Sequence, residues 1–271
     1  SSRRRHTRWC VRSRGLGDVY KRQLYRRVDR VLVHNRASAE ELERLVPGVR
    51  PSVIPHGNYL HSLGAPIERQ AARRLLDLPD DAPIALFFGQ LKRVKGLDLL
   101  LEAMARVGDE LPAARLVVAG RAWKDDPGRY VDLSQALGLS GRLDLRHGFI
   151  PDALVPAYFA AADLVVLPYQ RVYQSGVVLL AMSHRRPVLV ADLPAMLETV
   201  EDGVSGFTFR HGDPGHLASR LATLLADPAR LERVAVQGFE QVRRRNDWND
   251  VGRLTLDAYR RALASPGGDS D

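Results

Sequence analysis

Two groups of residues in this chain have the types and spacing to hold a phosphate. The first is Gln174, Ser175 and Gly176, a polar turn between the apolar runs DLVVLPY and PVLVAD that opens directly into VVLLAM. The two runs have the length and composition of strands buried on both faces, and VVLLAM has those of a core helix. In such a strand, loop, helix, strand unit the first helical amides have no internal partner and the aligned peptide dipoles leave positive potential there. A glycine at that point lets an anion approach the backbone. The second group is Lys92, Arg93 and Lys95 in FFGQLKRVKGLDLLLEAM, just after a strand that ends at Gly89. Three cations ahead of a helix oppose its dipole, a local violation expected where an external anion compensates. For any one of these side chains a solvated basic loop is the plainer reading. For the cluster, at the same strand ends as the glycine turn, phosphate binding is favoured.

The elements that must position these residues follow from apolar periodicity. From Pro83 onward the strand-like runs PIALFFG, ARLVVAG, RLDLRHGF, DLVVLPY, PVLVAD and SGFTFR recur every ~20 to 30 residues, separated by helical spacing. One intervening segment places Leu97, Leu100, Leu101, Met104 and Val107 along a single helical stripe. This alternation predicts an α/β fold with a doubly wound, Rossmann-like parallel sheet, whose ligands sit beyond the carboxyl ends of the strands. From Asp213 the chain reads as helical. Upstream, the pattern predicts a strand over Val28 to His34, a helix capped by Ser38 with Glu40 and Glu41 in its first turn, and a short strand in PSVIPHG. These upstream pieces are too small to form a core alone. The expected organisation is therefore a remnant of a preceding domain over 24–58, a linker with a short helix over 59–80, the Rossmann-like domain with its C-terminal helices over 81–264, and a disordered end over 265–271.

Charge separates residues 1–23 from the rest. The chain carries 40 basic and 32 acidic side chains, and this tail alone holds eight basic residues and one acidic, which leaves 32 basic against 31 acidic for the remaining 248 residues. A basic arm for nucleic acid, a transit peptide and non-native sequence are the competing readings. The tail has no apolar face for a targeting helix and little aromatic interleaving. SSRRRHTR and GLGDVYKRQ resemble translated sequencing-adapter sequence of the kind found at the ragged ends of genes assembled from environmental DNA. The tail is accordingly read as foreign to the fold, with the protein itself entered mid-gene at Leu24. The single cysteine, Cys10, lies in the tail, so the body fits a reducing compartment. No apolar stretch approaches the ~20 residues of a membrane span. A soluble, cytoplasmic protein without a nucleic-acid partner is expected.

Other chemistries lack their motifs. There is no G-x-G-x-x-G after a strand, no G-x-x-x-x-G-K-[ST], no zinc-ligand spacing and no G-x-S-x-G elbow.

With both phosphate-type sites read, the chain resembles the C-terminal half of glycosyltransferases of the GT-B fold, in the large retaining family 4 (glycosyl transferases group 1). The matching stretches are VDRVLVHNRASAEEL with VIPHGNY, FFGQLKRVKG, LVVAG, GFIPDALVPAYFAAADLVVLPY, QSGVVLLAM with PVLVAD, and ETVEDGVSGFTFRHGDPGHLASRLATLLADP. The resemblance spans Leu24 to about Ala264. It implies a two-domain enzyme that moves a sugar from a nucleoside-diphosphate sugar to an acceptor with retention, using no cofactor and no bound metal. The half present here would hold the donor. The acceptor half, almost wholly absent, would supply the histidine near the reacting sugar, so no catalytic residue is assigned in this chain. By the same resemblance Gly89, Lys92, Arg93 and Lys95 line the leaving diphosphate, and Gln174, Ser175, Gly176 and Val177 bind it through hydroxyl and backbone donors. Stabilising that departing charge is the main electrostatic task. Gly148 and Phe149 match the loop whose backbone meets the nucleobase. The partners implied are the sugar nucleotide, the missing domain and, in the full-length protein, a membrane surface met through the lost half.

Two departures qualify the resemblance. Many members carry two glutamates separated by seven residues, and at those places this chain has Val172 and Leu180. The usual arginine after the first glycine is Gln90. A subset of the family has QSGV-like sequence here, which makes this a variant subgroup. Glu198 is the candidate for a replacement ribose carboxylate. His56 reads as a turn histidine, and His184, Arg185 and Arg186 as cations suited to the negative end of a helix. The alternative is a nucleotide or sugar-phosphate binding module on the same scaffold that lacks turnover.

Overall fold

The computed structural model describes residues 23–264 apart from 26, 29, 109, 124 and 125. Residues 1–22 of the basic tail and the SPGGDSD end lie outside the described residues. In chain order the first elements are β1 (Val31–Val33), α1 (Arg36–Leu45), β2 (Pro51–Val53), α2 (Arg69–Leu75), β3 (Ile84–Phe88) and α3 (Leu97–Val107). Then come β4 (Arg115–Gly120), α4 (Gly128–Ala136), β5 (Leu143–His147), α5 (Val155–Ala161), β6 (Leu164–Leu167), α6 (Gly176–Ser183), β7 (Val188–Ala191) and α7 (Pro194–Leu197). β8 (Phe207–Phe209) and the helices α8 (Pro214–Leu225), α9 (Pro228–Arg245) and α10 (Trp248–Ala264) complete the chain.

These elements form two units, one comprising the described residues up to His56 together with those from Trp248, the other Gly57–Asp247. The closing helix α10 thus groups with the first segment, whereas the sequence placed it with the Rossmann-like half. Periodicity marks a helix but not the body it joins. In the smaller unit β1 and β2 pair in parallel, Val31 opposite Pro51. The His56 ring lies 5.7 Å from that of His34 and 6.3 Å from that of Trp248. The first strand is shorter than Val28 to His34. The following helix is capped by Asn35, not Ser38: the Asn35 side chain accepts from the Ser38 amide at 2.8 Å. Both residue types suit a cap, and the helix simply begins one turn earlier.

The larger unit is a six-stranded, all-parallel sheet in the order β5-β4-β3-β6-β7-β8. All six predicted runs are strands. Successive residues alternate between two cores. Ala85, Phe87, Leu116, Val118, Leu164 and Val166 face one side, against the buried stripe Leu97, Leu100, Leu101, Met104 and Val107 of α3 and against Leu217, Leu221 and Leu224 of α8. Ile84, Leu86, Val117, Val165 and Leu167 face the other, against α2, α5 and α6. Burial on both faces explains why the strands read as near-continuous apolar runs. Each fully buried Leu or Met of the α3 stripe contributes about 1.5–3 kcal/mol relative to exposure.

The strand order reverses between β3 and β6. The chain winds outward through β4 to β5, then returns to the opposite flank of β3 and winds outward through β7 to β8. The loops after β3 and β6 therefore diverge and leave a crevice at the carboxyl edge, the usual ligand position in such sheets.

Helix α6 is apolar all round and accordingly sunk, with Val178, Leu179, Ala181, Met182 and Ser183 buried. At its C-terminal end the His184 ring stacks on Phe159 at 4.8 Å. Burial, reinforced by the nearby Arg186 charge, pushes the His184 pKa down from 6.5 to about 4. His184 is thus neutral near pH 7 and does not act as a cation at the helix end, contrary to the sequence expectation. Between pH 4 and 6.5 the unfolded chain binds more protons at this site than the folded one, so stability is complete above 6.5 and is lost as the pH falls toward 4. The expected loss is on the order of 2 kcal/mol after allowance for partial exposure. Urea melts at pH 7 and pH 4.5 should show it, and His184→Gln should flatten that pH dependence.

Candidate donor-binding site

The loop after β3 runs from Gly89 through Lys92 to a single tight turn over Arg93–Lys95, closed by hydrogen bonds that the Lys95 amide donates to the Lys92 carbonyl at 2.8 Å and the Gly96 amide to the Arg93 carbonyl at 3.0 Å. Gly96 has φ +70°, and a side chain there would run into the Pro168 carbonyl oxygen, 2.0 Å from the first carbon it added. Only glycine satisfies both the left-handed backbone and the close approach. The Gln170 amide also donates to the Val94 carbonyl at 2.8 Å. The basic turn is thereby pinned to the loop that follows β6.

That loop leads into α6. Ser175 is the cap: its hydroxyl oxygen accepts from the Val178 amide at 3.4 Å, leaving the amides of Gly176 and Val177 in the opening turn. Gly176 is the first residue of the helix, and a methyl group added to it would stand 2.7 Å from the Tyr59 hydroxyl. Tyr59 is held there by its own amide, which donates to the Ser183 hydroxyl at 3.2 Å. Gly176→Ala should therefore push Tyr59 aside and weaken ligand binding roughly threefold to tenfold, by losing or misplacing one hydrogen bond. Binding measured on Gly176→Ala alone and combined with Tyr59→Phe checks this: the double variant should recover part of the loss.

The two turns meet at Gly89. A methyl group placed on Gly89 would lie 3.1 Å from the Lys95 Nζ and 3.4 Å from the Val177 Cγ2. The Lys95 ammonium thus sits directly over the end of β3, beside the opening turn of α6. Its Nζ also lies 5.3 Å from the centre of the Tyr169 ring. No carboxylate among the described residues forms an ion pair with it. Burial, with a smaller contribution from the Lys92 charge, pulls the Lys95 pKa from 10.5 down to about 8. A half-buried cation with no counter-charge, against free helical amides, is an arrangement completed by an anion.

The other candidates fall into place less uniformly. Lys92 sits with its Nζ 5.8 Å from the Trp123 ring centre, on the β4 side of the crevice. Arg93 is exposed and lies outside the cluster that Lys95 forms with Val177. Asp98 stands in the first turn of α3, where a carboxylate suits the dipole, and pairs with Arg129 at 2.6 Å. Gln174 is half-buried just ahead of the cap. Gly148 and Phe149 follow β5, the edge strand two positions from β3, and Phe149 is 75% exposed. Glu198 is exposed at the end of α7, beyond β7 on the opposite side of the switch point. Val172 and Leu180, which stand at the places of the two family glutamates, pack against the apolar core below the site. Sequence reasoning missed Tyr59, Trp123 and Tyr169. Tyr169 closes the run DLVVLPY and reads as the end of a strand. Its neighbours across the fold are invisible in one dimension.

The family model for glycosyl transferases group 1 matches residues 82–227. D-inositol 3-phosphate glycosyltransferase of Streptomyces bingchenggensis is 32% identical over 252 residues, which is 89% of this chain and 54% of the relative. The enzyme of the same name from Mycolicibacterium smegmatis is 29% identical over 251 residues, 91% of this chain and 56% of the relative. The chain thus spans about half the length of the curated relatives it matches. Among solved structures, sucrose-phosphate synthase from Thermosynechococcus elongatus superimposes with a TM-score of 0.81 at 26% identity, over 92% of this chain and 62% of that one. The Anabaena protein HepE, solved in complex with UDP and glucose, superimposes with a TM-score of 0.76 at 24% identity, over 86% of this chain and 63% of that one. The parallel sheet, the switch-point crevice and the helical C-terminus are those of the C-terminal half of a GT-B fold. By the match over the whole of its sheet, the chain belongs to the glycosyl transferases group 1 family.

Proposed function

We propose that this chain is the donor-binding part of a retaining, family 4 glycosyltransferase that transfers a sugar from a nucleoside-diphosphate sugar to an acceptor in polysaccharide, glycolipid or other glycoconjugate synthesis. The observation that carries this reading is the convergence of the Lys95 ammonium and the opening turn of α6 on one point over Gly89. A pyrophosphate seated there meets a cation on one side and the Gly176 and Val177 amides on the other. As the glycosidic bond to the donor breaks, negative charge builds on this diphosphate, and donors already fixed in place stabilise it without reorganising. Lys92 adds a second positive charge from the β4 side.

The nucleoside then extends toward β5. Adjacent parallel strands lie about 4.8 Å apart, so Gly148 and Phe149 stand roughly 10 Å along the sheet from β3, within the reach of a nucleoside from its diphosphate. Glu198, beyond β7, falls on the side where the sugar end of the same donor would lie. The organisation proposed for the whole protein is two α/β halves facing each other across the donor, with the acceptor and the reacting histidine supplied by the half that precedes this one.

Calorimetric titration of the chain with a panel of nucleoside diphosphates and their sugars tests the reading. UDP or GDP should bind, and the corresponding sugar nucleotide should bind to the same site in competition. A folded sample with no affinity for any of them overturns it. Val172 and Leu180 favour a second reading, in which the donor half binds but the protein does not turn over. Sugar transfer or donor hydrolysis by the chain joined to its preceding half, lost on substitution of Lys92 and Lys95, decides for the enzyme.

A further inference from the structure

We propose that Tyr169 is the positioning residue that keeps the two halves of this site in register, its ring face carrying the Lys95 ammonium and its hydroxyl holding the Ser175 side chain at the opening of α6. The inference rests on the donor-binding reading above and adds to it a residue outside both phosphate-type groups, the basic turn and the glycine turn.

Tyr169 lies two residues beyond the end of β6, at the switch point, and is only 3% exposed. Lys95 reaches it from the loop after β3, its Nζ 5.3 Å from the ring centre. From the other side the Ser175 hydroxyl donates to the Tyr169 hydroxyl at 3.4 Å. The same Ser175 oxygen accepts from the Val178 amide. One side chain therefore touches both the cation and the helix cap that flank the phosphate position. Burial pushes the Tyr169 pKa up to about 12, so its hydroxyl stays protonated wherever Lys95 titrates. The groups facing Lys95 are Lys92 from its own turn, Tyr169 from the β6 loop, and Val177 from α6. Lys92 is the one other charge among them, and it repels. Of these three, the aromatic face favours the charged form of the ammonium, by the attraction of a cation to the ring quadrupole.

The chain has four lysines, Lys21, Lys92, Lys95 and Lys124, so ε-carbon-labelled lysine allows each to be titrated by NMR in the intact protein without any ligand. Tyr169→Phe keeps the ring and removes the hydroxyl; Tyr169→Leu removes both. The Lys95 midpoint should stay near 8 in Tyr169→Phe and fall by about half a unit to one unit in Tyr169→Leu, as expected for a lost cation–ring contact. UDP or GDP affinity at pH 7 should drop roughly fivefold in Tyr169→Phe, the size of one lost hydrogen bond. The loss should not add to that of Ser175→Ala, because the hydroxyl acts through Ser175. An unchanged Lys95 midpoint in a folded Tyr169→Leu overturns the ring's part. If that variant does not fold, Tyr169→Phe and the cycle with Ser175 still decide the hydroxyl's part, since full affinity or strict additivity overturns it. A wild-type chain that binds no nucleotide removes the donor-binding reading, while the lysine titration continues to report on Tyr169 by itself.

Discussion

Lys95→Met is expected to lower nucleoside diphosphate affinity on the order of 100-fold while leaving the fold at least as stable as before. The loss follows from the position of the ammonium, half-buried over the end of β3 beside the Val177 side chain. A charged hydrogen bond to a phosphate in such a setting contributes about 1.5–3 kcal/mol, and the upper part of that range is two decades of affinity. The stability follows from the same position. The ammonium has given up much of its hydration, and no carboxylate among the described residues offsets that cost. A methionine of similar length restores apolar packing without the charge, a change that is neutral or favourable when a buried ion is replaced. Loss of binding with an undiminished melting temperature would set a functional lysine apart from a structural one.

The pH dependence has a definite sign. The ammonium is the binding form, and in the free protein its pKa is about 8. Affinity should be steady near neutrality and decline as the pH rises through 8, with proton uptake on binding visible as a buffer-dependent enthalpy. Lys95→Met should show neither effect. Without ligand the linkage runs the other way for stability. Between about 8 and the ordinary lysine value the unfolded chain holds the proton that the folded chain has lost, so stability rises with pH across that window.

Arg73→Ala is expected to cost about 3–5 kcal/mol of stability and not to act on nucleotide contacts. Arg73 is fully buried at the amino ends of β3 and β6, the edge opposite the ligand crevice. Its guanidinium donates to the carbonyls of Ala161, Pro79, Asp80 and Ala82 and to the Asp163 carboxylate at 2.9 Å. Asp163 in turn accepts from the Ile84 amide at 2.7 Å and pairs with Arg69 at 2.6 Å. Truncation strands the buried carbonyls of Ala161 and Ala82 and part of the Asp163 carboxylate, while those of the half-buried Pro79 and the exposed Asp80 can turn to water. For a chain of this size the loss corresponds to a fall in melting temperature of roughly 10 °C. Asp163→Asn, whose amide oxygen still accepts from Arg73 and the Ile84 amide while the pairing with the exposed Arg69 is lost, should cost less. A thermal melt of both variants checks the order. A shift of only a few degrees for Arg73→Ala would show that the hub is dispensable.

Arg73 also illustrates what a linear reading passes over. In PIERQAARRLLDL it is one of several arginines in a polar segment, and nothing in its neighbourhood marks it as the member at 0% exposure. The reverse holds for the α3 stripe, where the spacing of Leu97, Leu100, Leu101, Met104 and Val107 named five of the six buried positions of the helix and passed over only Ala103. Periodic apolar residues carry their burial in their spacing, because each element must turn one face inward. A single polar residue carries no such mark, and its partners lie up to 90 residues away in the chain.

Residue order alone therefore determined the alternation of strands and helices, the parallel sheet covered on both faces, the glycine-bearing helix start and the lysine-bearing turn. These are local or periodic properties, legible wherever burial repeats at the pitch of an element. Tertiary structure decided which lysine stands over β3, that Tyr169 lies under it, that Tyr59 crowds Gly176, and that His184 is uncharged. Each of those depends on the reversal of strand order between β3 and β6, or on the packing of distant segments. Distance across a fold is set by the sum of many contacts, and no short stretch of sequence contains that sum.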